Sequence, residues 1–184
     1  MPTPFGHAMA AVAGGMIFAR REQMTRRFWI LSLICAELPD LDIVAFVLRI
    51  PYAHFFGHRG FFHSLFFAGV MSLVFTSIYF SDSKTVLREK GPFIVYFFLL
   101  GASHGILDTF TNGGLGIALF SPFDTTRYFF PWRPILVSPI GLRPFLTMQG
   151  WLVLLSEIQW ILLPSAGLVI LTRLPTKYLR KNVY

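Results

Sequence analysis

The sequence predicts an all-α fold, a multi-pass membrane bundle of about five helices, and three observations carry that expectation. Only 14% of the 184 residues are charged and 54% are hydrophobic, whereas roughly a quarter of a soluble domain is charged. Phenylalanine alone occurs 21 times, and the mean hydropathy is +0.60. Apolar runs recur at the length a helix needs to cross a hydrocarbon layer, about 20 residues.

Taken in order, residues 4–19 form a first segment, rich in Ala and Gly and holding His7. Residues 28–38 form a second, which runs into "ELPDLD" and resumes as "IVAFVL". That helix should break or end near Pro39, because proline lacks the N–H and its ring blocks the preceding turn. Residues 61–80 and 150–172 are the clearest spans. Residues 92–110 qualify as a fourth, although they carry His104 and Asp108. Residues 111–149 contain several Pro and Gly and read as a structured extramembrane loop with one or two short helices. Within that loop "YFFPW" (128–132) is a candidate interfacial aromatic anchor. Residues 1–184 are thus expected to form one integral-membrane domain. No basic stretch precedes the first apolar run, so no cleaved leader is expected.

The formal net charge is +7, but the basic residues are scattered at helix ends and form no stripe, so a nucleic-acid partner is not expected. Topology accounts for them instead. With the N-terminus outside, the cytoplasmic connections hold Arg20, Arg21, Arg26, Arg27, Lys84, Arg88, Lys90, Arg173, Lys177, Arg180 and Lys181, eleven of the sixteen basic residues. Such a bias marks the cytoplasmic side. A bacterial or archaeal inner membrane is the expected location. The single cysteine, Cys35, excludes a disulfide framework and a thiolate zinc site.

In this topology His7, Asp40, Asp42, His58, His63, His104, Asp108 and Glu157 all fall at one, non-cytoplasmic, membrane face. Ionisable groups at spans are costly and face partners or wet cavities, so their convergence predicts a shared polar site. Imidazole and carboxylate without thiolate suit zinc, and also manganese or iron(II). In "HGILD" His104 and Asp108 stand four apart on one helix face. In "PDLD" two carboxylates follow a helix-ending proline. In "HRGFFH" Gly60 permits a turn that could aim His58 and His63 at one centre, with Arg59 either a cation for a substrate phosphate or an interfacial arginine. His54 and Asp124 are weaker candidates, one in a loop and the other a possible helix cap. Glu22, Asp82 and Glu89 read as solvated partners of nearby basic residues.

Together, the N-terminal His, "LPDLD", "HRGFFHS", "HGILDTFTNGG" and "LFSPF" resemble the YdjM family of membrane-bound metal-dependent hydrolases, over about residues 4–123. That family looks distantly similar to zinc-dependent phospholipase C and the P1-type nucleases. The resemblance implies a helical core like theirs and metal ligands at His7, Asp40 or Asp42, His58 or His63, His104 and Asp108, with Asp108 bridging two ions. It also makes Glu37 a neighbouring acid or an extra ligand. The last helix offers Glu157 and no histidine, so one or two ions are expected.

The expected function is hydrolysis of a phosphoester in a lipid-like or amphiphilic substrate at the bilayer surface. A divalent ion, most simply zinc, would activate water. Asp42 or Glu157 would take the proton, Arg59 would neutralise phosphate, and Ser64 and Asn112 would orient ligands. Two rivals are a non-catalytic membrane protein with a structural metal and a metal or ion transporter. A serine hydrolase is not expected, since Ser64 lies in no G-x-S-x-G elbow.

Overall fold

The computed structural model describes residues 1–81 and 86–173. Lys84, Lys177, Arg180, Lys181 and Asp82 lie outside the described residues. The chain is all-helical: α1 (Pro4–Phe18), α2 (Arg26–Glu37), a 3-10 turn Leu38–Ile43, α3 (Val44–Val47), a 3-10 turn Phe61–His63, α4 (Leu65–Tyr79), α5 (Leu87–Thr109), α6 (Leu142–Phe145), α7 (Met148–Glu157) and α8 (Leu163–Arg173). No strand occurs among the described residues, and isolated bridges pair Thr111 with Ile135 and Ile117 with Tyr128.

Each boundary has a local cause. Pro4 opens α1 at a position where its missing N–H costs nothing. The Thr25 side chain accepts from Phe28 N at the start of α2. Pro39 stops α2 at Glu37, and the chain tightens into the 3-10 turn that carries Asp40 and Asp42. The apolar run beginning at Phe61 does not continue a helix from there. Ser64 is extended, its Oγ accepts from Phe67 N at 3.1 Å, and α4 begins at Leu65. Ser64→Ala should remove this cap and cost about 1 kcal/mol, read as a lower midpoint in thermal unfolding in detergent.

Helices α7 and α8 form one continuous rod through a π turn, Ile158–Leu162. Pro164 explains the turn, because it cannot donate to the carbonyl four residues earlier. This 26-residue rod and the 23-residue α5 are long and apolar enough to cross a membrane. Helices α1 and α4 are shorter apolar helices.

Helices α4 and α5 form the most extensive pair, and α1 lies against α2, α5 and α8. An aromatic core of Phe28, Phe75, Phe93, Tyr96 and Phe97 fills the end of the bundle away from the site. There the Arg173 guanidinium donates to the carbonyls of Met16 and Ala19. At the other end, the start of α1, the end of α2, the start of α4 and the end of α5 bring their polar residues together.

Candidate metal centre

Helix α5 supplies two members of the site. His104 and Asp108, one turn apart, are both buried. His104 Nδ1 lies 2.6 Å from the carbonyl of Ala36 at the end of α2. A carbonyl only accepts, so Nδ1 carries the proton and Nε2 keeps its lone pair for the centre. Between them stands Gly105, where a Cβ would lie 2.5 Å from the His63 carbonyl. The missing side chain lets α5 approach the Phe61–His63 turn and sets His63 opposite its two partners.

The 3-10 turn after Pro39 supplies the carboxylates and divides their work. Asp40 points into the cluster, with Oδ1 3.3 Å from His104 Nε2 and 3.4 Å from His63 Nε2. Asp42 stands behind it: Oδ1 meets His58 Nδ1, and Oδ2 accepts from Arg59 N at 2.9 Å and lies 3.1 Å from His63 Nδ1. His58 and His63 therefore do not share a centre. Their rings meet edge to face 5.7 Å apart, with Asp42 between them. The left-handed residue of "HRG" is Arg59, at φ 62°, not Gly60. Gly60 is needed for space instead, since a Cβ there would lie 2.3 Å from the Phe55 carbonyl.

Asp40, His63, His104 and Asp108 each offer one donor atom, all within 4.8 Å of one another. His63 Nε2 is also 3.3 Å from Asp108 Oδ2. These 3.3–3.4 Å separations match the edge of a tetrahedron with metal bonds of about 2.1 Å, which is about 3.4 Å. The other oxygens turn toward α1: Asp40 Oδ2 and Asp108 Oδ1 each lie 3.9 Å from His7 Nε2. The His7 ring stacks on that of His104 at 3.7 Å.

Most of these donor atoms make no hydrogen bond elsewhere among the described residues. The buried nitrogens and oxygens without a hydrogen-bond partner among the described residues belong mostly to this cluster: both nitrogens of His7 and His63, both oxygens of Asp40 and Asp108, His104 Nε2 and Arg59 Nε. Buried polar groups are nearly always paired, so such a concentration marks a place built for a ligand. The electrostatics agree. The carboxylates of Asp108, Asp40 and Asp42 surround the His63 ring. The centre favours positive charge, and a cation can stand where the proton would.

The remaining predicted residues lie around this core. Arg59 is fully buried, and its fork is in use inside the protein. Nη1 donates to Gly113 O at 2.7 Å, Nη2 to Thr111 Oγ1 at 3.1 Å, and Nε lies 3.5 Å from Asp108 Oδ2. Glu157 is also buried, and its two oxygens accept from Thr3 N and Thr3 Oγ1. Glu37 Oε1 is buried without a partner among the described residues. Ser64 caps α4, and Asn112 Oδ1 accepts from Val137 N, pinning the loop. His54 is exposed and accepts from Phe56 N. Asp124 closes a turn with Thr126 and Tyr128 and caps no helix.

Sequence reasoning missed the supports. Gly113 and Thr111, both in "TNGG", form the seat of Arg59. Arg127 donates to the carbonyls of Tyr52, His58, Arg59 and Gly116 and straps the ligand loop in place. A lone arginine in a long loop carries no pattern that foretells this. Thr3, next to Pro4, makes no side-chain cap to α1 and binds Glu157 instead.

The whole chain is similar to known membrane proteins. The family described as YdjM inner membrane protein matches residues 1–179. Inner membrane protein YbcI of Escherichia coli (strain K12) is 34% identical over 165 residues, covering 90% of this chain and 93% of that protein. No solved structure matches.

Proposed function

The chain belongs to the YdjM inner membrane protein family, and from that premise we propose that it is a membrane-bound metal-dependent hydrolase cleaving a phosphoester of a lipid-like substrate. One observation carries the reading: the donor atoms of Asp40, His63, His104 and Asp108, buried and without hydrogen-bond partners among the described residues, lie close to one another. Nitrogen and oxygen donors without sulfur fit zinc or manganese. Asp40 and Asp108 each turn one oxygen toward His63 and the other toward His7, so with His104 these residues would hold one or two ions.

When bound, such ions polarise a phosphoryl oxygen and lower the pKa of water toward about 7. The residues of the chain prepare the site for that chemistry. Asp42 fixes the ring of His63, and the Ala36 carbonyl fixes that of His104. Arg59 offsets the charge of Asp108 and holds the loop. The oxygens of Asp42 and Glu157 are engaged, and Glu37, three residues before Asp40, keeps one buried oxygen without a partner among the described residues. The basic residues at the opposite end of the bundle support a multi-pass topology with the site on the non-cytoplasmic side.

The test is metal content and turnover of the protein purified in mild detergent. Elemental mass spectrometry should find one or two equivalents of zinc or manganese per chain, and less in His7→Ala. Phosphoester hydrolysis should stop with a chelator and return with metal. Wild-type protein that holds no metal after reconstitution would refute the proposal. Near-complete burial of the donors favours one rival, an ion closed in by protein for structure. Bound metal with no turnover of soluble or lipid phosphoesters would decide for it. Asp42→Asn keeps every direct donor, so it should weaken metal binding about 10–100-fold, as other losses of a ligand's supporting contact do. A competition titration reads this.

A further inference from the structure

The apolar surface does not stop where α2 stops. On α2 the exposed apolar side chains are Ile30, Leu33 and Ile34. Past Pro39, in the turn and α3, the exposed apolar residues are Leu41 (65%), Val44 (51%), Phe46 (39%), Val47 (80%) and Leu48 (64%). Leu41, Val44, Val47 and Leu48, spaced by three and four residues, stand on one side, with Phe46 less exposed at its edge. Asp42 and Ala45 face inward from the same segment and are buried. Arg49 ends it in a left-handed conformation, φ 55°, and is exposed. Asp40, the member of the metal cluster whose side chain reaches the surface, adjoins Leu41.

A short helix with such an outer face would be a liability in water, because contiguous exposed apolar surface marks a binding face. Among the described residues nothing covers it. The band continues the apolar side of α2 in a chain of an inner membrane family, and a terminal arginine matches the phosphates of lipid headgroups. We propose that Leu41–Leu48 is a membrane-inserted segment that lies among the acyl chains just beneath the headgroups, with Arg49 at the phosphates. Its partner is the bilayer lipid of the leaflet on the site's side, and it brings the Asp40 edge of the cluster to the lipid boundary. The inference requires neither metal nor hydrolysis.

Site-directed spin labelling tests it. Cys35 is buried and can be replaced by Ala, after which single cysteines are placed at Val47 and Val44 in protein reconstituted into phospholipid vesicles. Leu73→Cys, on the exposed apolar face of α4, is the lipid reference, and Glu22→Cys, at the opposite end, is the aqueous one. Labels at Val47 and Val44 should collide more with oxygen than with a water-soluble nickel chelate, as at Leu73. A preference for the chelate at both positions, as at Glu22, would overturn the proposal. The readout is independent of catalysis, so an inactive protein with lipid-embedded labels would sink the hydrolase reading and leave this surface standing.

Discussion

Asp108→Ala should abolish metal binding and strongly destabilise the protein, whereas His104→Ala should abolish metal binding at a smaller cost in stability. Both side chains donate to the cluster, and loss of a direct donor should exceed the roughly 10–100-fold weakening that follows loss of a supporting contact. Hydrolysis should fall with the metal. The variants part in stability because their neighbours differ. Asp108 Oδ2 lies 3.5 Å from the Nε of Arg59, a fully buried guanidinium. Without the carboxylate that charge stays buried and uncompensated, at a cost of about 3–5 kcal/mol. Removing His104 strands no arginine; it gives up the bond to the Ala36 carbonyl and the contact with Asp40, and a buried acceptor left without its donor costs about 1–3 kcal/mol. Elemental analysis and thermal unfolding in detergent, run on both variants, read the two effects. Full metal content in Asp108→Ala would remove it from the ligand set.

Gly105→Val should disable the centre with every ligand still present. The added Cβ would lie 2.5 Å from the His63 carbonyl and near Leu119 Cδ2. A main-chain atom cannot rotate away, so α5 and the His63 turn must separate. Overpacking of this kind costs about 1–3 kcal/mol. It also moves His63 from His104 and Asp108, so the metal should be lost as in the ligand variants. Gly69→Ala is the control. Nothing lies within 4 Å of a Cβ at Gly69 in the middle of α4, and alanine there should stabilise the helix by up to about 1 kcal/mol. Metal retained in Gly105→Val would show that the close approach is not what places His63.

Some of the centre was legible because it rests on short-range rules. His104 and Asp108 share a helix face by spacing alone, and Pro39 predicts where α2 ends. The two aspartates of "PDLD" could not be ranked from sequence. The direction of each depends on a 3-10 turn and on what stands opposite, which for Asp42 is the pair of His58 and His63. Nor could the histidines of "HRGFFH" be separated. Their orientation follows from Arg59, whose left-handed backbone is held by Gly113, Thr111 and Arg127 from a loop more than 50 residues away.

The sequence by itself determined the material: an apolar helical chain, a set of nitrogen and oxygen donors without sulfur, and their collection at one end of the helices. Periodicity, proline and charge bias settle those matters within a helical turn or along one span. The tertiary structure decided which donors meet and which stand behind them. Asp40 reaches the cluster while Asp42 orients rings, Arg59 and Glu157 spend their hydrogen bonds inside the protein, and Gly105 sets the gap across which His63 faces His104. Those assignments depend on distances of a few ångströms between segments remote in sequence, fixed by packing and not by any local rule.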